Sequence, residues 1–430
     1  MLQDWFVDAK FGVFLHWGIY SAGKTSESWA FFMGQVGYEE YMAQAETFTA
    51  ENYDPDAWAR LFAEAGAKYA ILTAKHHDGF ALWPTKENKL NAVDSSPAGR
   101  DLIGPYCDAL RKHGLKVGIY YSHLDWSHPD YASVLPKGAQ PHDHANAHSN
   151  PFGYPQNGES PERWEKFLAF HRAQLKELCT LYKPDLLWFD GDWERDMEQW
   201  RFEELRDQLH EWAPGVVLNS RMGGHGDYGT PEQAIPISAP DGMWEFCVTT
   251  NDHWGYYEGD DNFKTPRQCI RMLAECAGMG GNLLLDIGPK SDGTIQEEQT
   301  EILRKVGRWS HQHAEALYGT QRGLPHGHFY GASTLSSDTT TLYLFLFDIP
   351  RDEIAIKGIR NEVKRVTVLG SGVELKHRKL GGAPWAHLPG VLWVDVPQDA
   401  LDEDATVLKI ELEGPLDLYT GAGDVVTFNH

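Results

Sequence analysis

The stretch PDLLWFDGDWER, Pro184 to Arg195, starts as a buried strand and ends among acids. Leu186, Leu187, Trp188 and Phe189 are apolar without interruption, and Asp190, Asp192 and Glu194 follow. An unbroken apolar run reads as a strand of a parallel sheet, because helices cover both faces of such a sheet. The acids have two readings. Asp190 before Gly191 is ordinary turn chemistry, or the strand is a pedestal for a reactive carboxylate.

The flanking sequence repeats the same unit. An amphipathic helix, Pro161–Tyr182, precedes the strand, and a helix at Gln199–Gly215 and a strand at Val216–Arg221 follow it. Upstream lie strands at Lys10–Gly18, Lys68–Asp78 and Leu115–Trp126, with helices at Asp54–Gly66 and Asp101–Gly114 between them. Downstream come strands at Gly242–Thr250 and Asn282–Pro289 and helices at Thr265–Gly281 and Ile295–Gly319. This alternation predicts a (β/α)8-like, TIM-type barrel over residues 1–324, with an irregular or missing eighth strand. A doubly wound open sheet is the alternative, but no GxGxxG follows the first strand, which weakens a dinucleotide-binding fold. Beyond residue 320 short strands alternate with Gly, Pro and Asp, as in TTTLYLFLFD and GVLWVDVP. They predict a C-terminal antiparallel β-sandwich domain over 325–430. The connection Ser122–Ser160 is long and rich in Pro, Gly, Asn and His, and loops of that length inside a barrel are usually functional or mobile.

The 430 residues carry a formal net charge of -24, which argues against nucleic acid or an anionic membrane as partner and leaves a neutral or cationic substrate open. Five cysteines form no CxxC pair, and buried thiols suit a reducing cytoplasm. The N-terminal stretch has no basic region followed by an apolar one, and no apolar run is long enough to span a membrane. A cytoplasmic protein is expected. Nothing in the sequence fixes an oligomeric state. The 16 tryptophans suit flat sugar-binding faces, though composition alone favours a Trp-rich core.

Functional groups of such barrels gather at the C-terminal ends of strands. Reading those ends in order gives His16 and Trp17, then His76, His77 and Asp78, then Tyr121, Ser122 and His123. Asp190 follows, then Asn219 and Arg221, a loop with Glu232, and Trp244 with Glu245. One histidine at one strand end is more often structural; the recurrence carries the weight. Trp188 and Asp190 are two apart, so they share a face, with the Trp188 ring beneath the acid. Partial desolvation there raises a carboxyl pKa unless a cation or donors compensate, and Arg221, His76 and His77 are the candidates. An ionised, positioned aspartate is a competent nucleophile.

Metal chemistry is weighed and disfavoured. His76 and His77 are adjacent and face opposite ways on a regular strand, no HxH closes the first strand, and no HExxH occurs. The loop histidines His142, His144 and His148 read as solvated loop residues rather than as a ligand set. No metal and no cofactor is expected.

The stretches FGVFLHWG, AKHHDGFALWPT, VGIYYSHLDW, LLWFDGDW, TPEQ, WEFCVTTNDHWGY and GGNLLLDIGPKSDG run in order from Phe11 to Gly293. In them the chain resembles the α-L-fucosidases of glycoside hydrolase family 29. The resemblance implies retaining hydrolysis of terminal α-linked L-fucose from oligosaccharides or glycoconjugates without a cofactor. It implies Asp190 as nucleophile and Glu232 as acid/base, with Glu245 the runner-up and otherwise a supporting structural acid. It implies His16, Trp29, His76, His77, Tyr121, Trp188, Arg221 and Trp254 as substrate-binding residues, Trp29 being carried from ESWAFF. TPEQ and TTNDHWGY look more like the subfamily that prefers branched α-1,3/1,4-linked fucose. Competing readings are a fucosidase of broad aryl-fucoside specificity, a catalytically silent fucose-binding protein and a metal-dependent barrel hydrolase, which lacks a ligand set here.

Overall fold

The structure is a computed structural model and describes residues 2–131 and 160–421. Most of the Ser122–Ser160 connection, including His142, His144 and His148, lies outside the described residues.

Seven parallel strands form the first sheet: β1 (Phe11–Leu15), β2 (Tyr69–Lys75), β3 (Lys116–Ser122), β4 (Leu186–Asp190), β5 (Val217–Leu218), β6 (Glu245–Thr249) and β7 (Asn282–Ile287). Their order is β5-β4-β3-β2-β1-β7-β6, a TIM-like barrel that is open between β5 and β6. Its helices begin where the sequence signals a start. Asp54 caps Pro55–Glu64 by accepting from Ala57 N at 3.0 Å, and Thr265 and Gln268 form a capping box on Pro266–Gly278. Every residue of β4 is buried, because the barrel interior covers one face and helices the other.

The strand expected over Val216–Arg221 is regular for only two residues, and Asn219 explains why. Its side-chain amide takes over the pairing with β4, accepting from Phe189 N at 2.8 Å and donating to Phe189 O at 2.9 Å. The gap between β5 and β6 is crossed by Tyr228–Gln233. Isolated parallel bridges join Asn219 to Tyr228, Gly229 to Trp244 and Glu232 to Cys247. This segment fills the barrel's remaining position without a continuous ladder, because Pro231 has no N–H to give and Gln233 sits at φ 58°.

Two apolar clusters share the barrel. One fills its interior with Phe14, Tyr69, Ile71, Tyr120, Leu186, Trp188, Tyr228 and Leu284. The other packs the outer strand faces against the helices. A third core lies between two antiparallel sheets of the C-terminal β-sandwich. The five-stranded sheet holds β8 (Gln321–Arg322), β9 (Ser333–Leu335), β10 (Thr341–Leu346), β12 (Val363–Val368) and β15 (Thr406–Leu412). The other holds β11 (Glu353–Ile356), β13 (His377–Leu380) and β14 (Val391–Asp395). β8 lies just ahead of the expected start at residue 325. All five cysteines are free and buried, and no helix among the described residues is long and apolar enough to cross a membrane.

Candidate active site

A cavity of about 130 Å3 opens at the C-terminal ends of the barrel strands. Clefts for drug-sized ligands run to roughly 300–1,000 Å3, so this one suits a single sugar ring. His16, Trp29, His76, Trp188, Asp190, Arg221, Glu232 and Trp254, expected from sequence, all line it. Phe14, Glu27, Tyr120 and Trp193 line it as well.

Asp190 is the last residue of β4 and its side chain is 13% exposed. Oδ2 accepts from Tyr120 Oη at 3.0 Å, and Oδ1 from Arg221 Nη1 at 2.7 Å and from Gly191 N at 3.0 Å. Gly191 is required here: its φ is +85°, and a Cβ would meet Leu124 Cγ at 2.4 Å. The expected Trp188 floor is present, and Arg221 lies over it, with Cζ 4.5 Å from the indole centroid.

Arg221 joins the two candidate carboxylates. Its Nη1 bonds Asp190 at 2.7 Å, its Nη2 bonds Glu232 Oε2 at 2.5 Å and its Nε bonds Thr230 Oγ1 at 3.1 Å. Burial works against the guanidinium's charge, and Asp190 and Glu232 outweigh it, holding its pKa above the ordinary arginine value. The Glu232 side chain is 38% exposed, far more open than Asp190.

Glu245 is not at the cavity. It is fully buried beneath Trp188, accepting from Trp188 Nε1 at 3.0 Å, from Tyr228 Oη at 3.3 Å and from Tyr69 Oη. Burial pushes its pKa up to about 7, against the pull of these three donors.

Two expectations need correction. Tyr121 faces away from the cavity, where its hydroxyl bonds Gln174 Oε1 at 2.9 Å. Tyr120 takes the inward place. It is the register partner of Trp188, and strand residues alternate faces. Two adjacent tyrosines hid this choice, since either suits a strand end. His76 and His77 do not face opposite ways either, because β2 ends at Lys75 and their rings lie 4.2 Å apart. His76 lines the cavity, held by Ser28 Oγ at 2.6 Å from Nδ1. His77 stands behind it, with Nδ1 2.6 Å from Ser122 Oγ and Nε2 3.6 Å from Asp190 Oδ2.

The remaining wall is aromatic and acidic. Trp193 stacks on Trp29 at 5.9 Å, and Trp254 packs 5.0 Å from His16. Trp193 belongs to the stretch that began the reading, but tryptophan is so common in this chain that only the fold singles it out. Glu27 accepts from Gly255 N, and burial raises its pKa. His16 Nδ1 meets Asp286 Oδ1 at 2.7 Å; burial, then His76, lowers the His16 pKa well below the ordinary value. Burial likewise lowers His76 and His77. Two neutral imidazoles, a guanidinium and three acidic side chains around aromatic faces suit a polyhydroxylated ring with one apolar side. Among the described residues, no cluster of three or more His, Cys, Asp or Glu side chains has a geometry that could hold a metal ion.

The sequence model of the family described as Alpha-L-fucosidase matches residues 1–315. The tissue alpha-L-fucosidase of Mus musculus is 34% identical over 349 residues, 74% of this chain and 72% of the relative. Among solved structures, alpha-L-fucosidase isoenzyme 1 from Paenibacillus thiaminolyticus superposes with TM-score 0.84 at 34% identity, covering 95% of this chain and 98% of its own. A GH29 alpha-L-fucosidase of Bacteroides thetaiotaomicron, trapped as a covalent intermediate with 2-fluoro-fucosyl fluoride, superposes with TM-score 0.81 at 25% identity, covering 95% of each chain.

Proposed function

The chain belongs to the alpha-L-fucosidase family, glycoside hydrolase family 29, and we propose that this retaining fucosidase works through Asp190 as nucleophile and Glu232 as acid/base. One observation carries the reading: a single guanidinium, Arg221, bonds both carboxylates at the cavity wall. Retaining glycosidases work with two carboxyl groups on one substrate, held roughly 5–5.5 Å apart.

In the first step Asp190 Oδ attacks the anomeric carbon as Glu232 gives its proton to the departing oxygen. A fucosyl-enzyme ester forms. Glu232, now a carboxylate, takes a proton from water, whose oxygen attacks the same carbon and frees Asp190. Two inversions return the starting configuration. Arg221 and Tyr120 hold the Asp190 carboxyl in place by hydrogen bonds. Neutral His16 and His76 bind ring hydroxyls, with His77 supporting from behind, while Trp29, Trp188, Trp193 and Trp254 pack on the C–H faces and the methyl of this deoxy sugar. A cavity with room for one ring supports exo action on terminal fucose.

Within that chemistry we infer a preference for α-1,3/1,4-linked branched fucose, on the TPEQ and TTNDHWGY stretches. Trapping with 2-fluoro-fucosyl fluoride followed by peptide mapping tests the nucleophile; the label is expected on Asp190, and a label elsewhere contradicts the assignment. Rates on an aryl fucoside and a branched Lewis-type oligosaccharide test the preference. Fast aryl cleavage without branched cleavage overturns it in favour of broad aryl-fucoside specificity.

A further inference from the structure

His123 follows β3 directly and is completely buried. Its backbone N–H donates to Asp190 O at 2.8 Å, and its ring Nε2 lies 3.0 Å from Arg221 O. One residue therefore holds, by their main chains, both partners of an ion pair whose side chains meet at 2.7 Å. Its ring is wedged flat on Phe189, the residue before Asp190, with centroids 4.6 Å apart and planes at 11°.

The other ring nitrogen determines how this hold works. His123 Nδ1 is 3.0 Å from His171 Nε2, and His171 Nδ1 is 2.9 Å from Arg172 Nη1. Arginine donates only, so the hydrogen at the last contact is Arg172's and His171 Nδ1 offers a lone pair. Neutral His171 then carries its proton on Nε2 and donates it to His123 Nδ1. His123 in turn carries its proton on Nε2, where the Arg221 carbonyl accepts it. Each link fixes the next, and Arg172 is itself anchored on Trp200 O. Burial keeps both rings neutral, pushing His123 down to about 3 and His171 well below the ordinary value.

We propose that His123 is a positioning residue that sets the Asp190–Arg221 pair, and that Arg172 and His171 lock it in the Nε2–H tautomer that bonds the Arg221 carbonyl. This rests on the reading of Asp190 as nucleophile. A small displacement of a reacting group costs rates on the order of a hundredfold, so three residues that touch no substrate bear on catalysis.

The test combines nitrogen NMR with kinetics on the full chain. In the wild type both His123 and His171 are expected as Nε2–H tautomers. His123→Phe keeps the stack on Phe189 and loses both ring hydrogen bonds; kcat is expected to fall roughly tenfold to a hundredfold, more than KM rises. His123→Gln, whose amide N–H reaches the place of Nε2, is expected to recover most of that loss. Arg172→Met releases His171, so its spectrum is expected to show mixed tautomers with a smaller fall in kcat. His171 protonated on Nδ1 in the wild type, a His123→Phe rate within twofold of wild type, or a Gln variant no better than Phe overturns the proposal. If His123→Phe does not fold, the wild-type and Arg172→Met spectra decide. Mapping the 2-fluoro-fucosyl label separates the two readings. A label away from Asp190 fails the nucleophile assignment, whereas a label on Asp190 with no His123 effect fails the relay.

Discussion

The two proposed catalytic carboxylates stand on opposite kinds of barrel wall. Asp190 ends β4, a regular strand paired on both sides, and three hydrogen-bond donors fix its side chain. Glu232 stands on Tyr228–Gln233, which is held by isolated bridges and interrupted at Pro231, and Arg221 is its side chain's hydrogen-bond partner. A nucleophile must meet one carbon at one angle, and an immobile stave does that. An acid/base must reach a departing oxygen and then a water, and a less tightly paired, more exposed stave permits both.

Removing the fixed group is expected to do the most damage. Asp190→Gly should lower kcat on an aryl fucoside by about 10^4-fold or more, the scale seen when a residue of a catalytic unit is deleted. A variant within tenfold of wild type in a steady-state assay breaks the contrast at its base. Glu232→Ala should depend on the leaving group, losing roughly 10^2–10^4-fold on an oligosaccharide and far less on a fucosyl fluoride. If Glu245→Gln shows that pattern and Glu232→Ala does not, the acid/base belongs beneath Trp188 instead.

Arg221→Lys tests the link between the two walls. A lysine is a single charge point and cannot fork to both carboxylates. Its kcat/KM should fall by roughly tenfold to a hundredfold, and an unchanged value shows that the shared guanidinium does not organise the site.

The barrel floor is expected to show in stability rather than in rate. Glu245 has a pKa raised from 4.5 to about 7 in the folded chain, so between those values the unfolded chain ionises it while the fold retains the proton. Stability from this group therefore falls as pH rises through that window, by about 3 kcal/mol at 1.36 kcal/mol per unit. Denaturant melts of wild type and Glu245→Gln at both ends of the window should show the wild type losing ground by about that much. Parallel pH profiles of the two proteins remove the titration from the account.

The same contrast explains what the sequence made legible. β4 announces itself through an unbroken apolar run, and eight of the expected residues converge on one cavity because strand ends converge in a barrel. The irregular stave does not announce itself: GDYGTPEQ reads as a loop because Gly and Pro are turn residues, yet tertiary neighbours hold it in a strand's place. Tyr120 hid behind Tyr121, since a strand's phase is set by its partner and not by two like residues. Nor does the acid cluster of the opening stretch read as loop chemistry throughout. Asp192 accepts from Gly223 N at 2.9 Å, while Glu194 is buried and accepts from Trp126 Nε1 at 3.2 Å and from Tyr131 Oη.

Azide rescue followed by product stereochemistry tests the division of labour most directly. With an activated aryl fucoside, Asp190→Gly plus azide should give β-L-fucosyl azide, because azide enters the space of the missing nucleophile and inverts the α-linked substrate once. Glu232→Ala plus azide should give α-L-fucosyl azide, because azide intercepts the fucosyl-enzyme in a second inversion. The same anomer from both variants, or the two anomers exchanged, contradicts the assignment of nucleophile to the regular stave and acid/base to the irregular one.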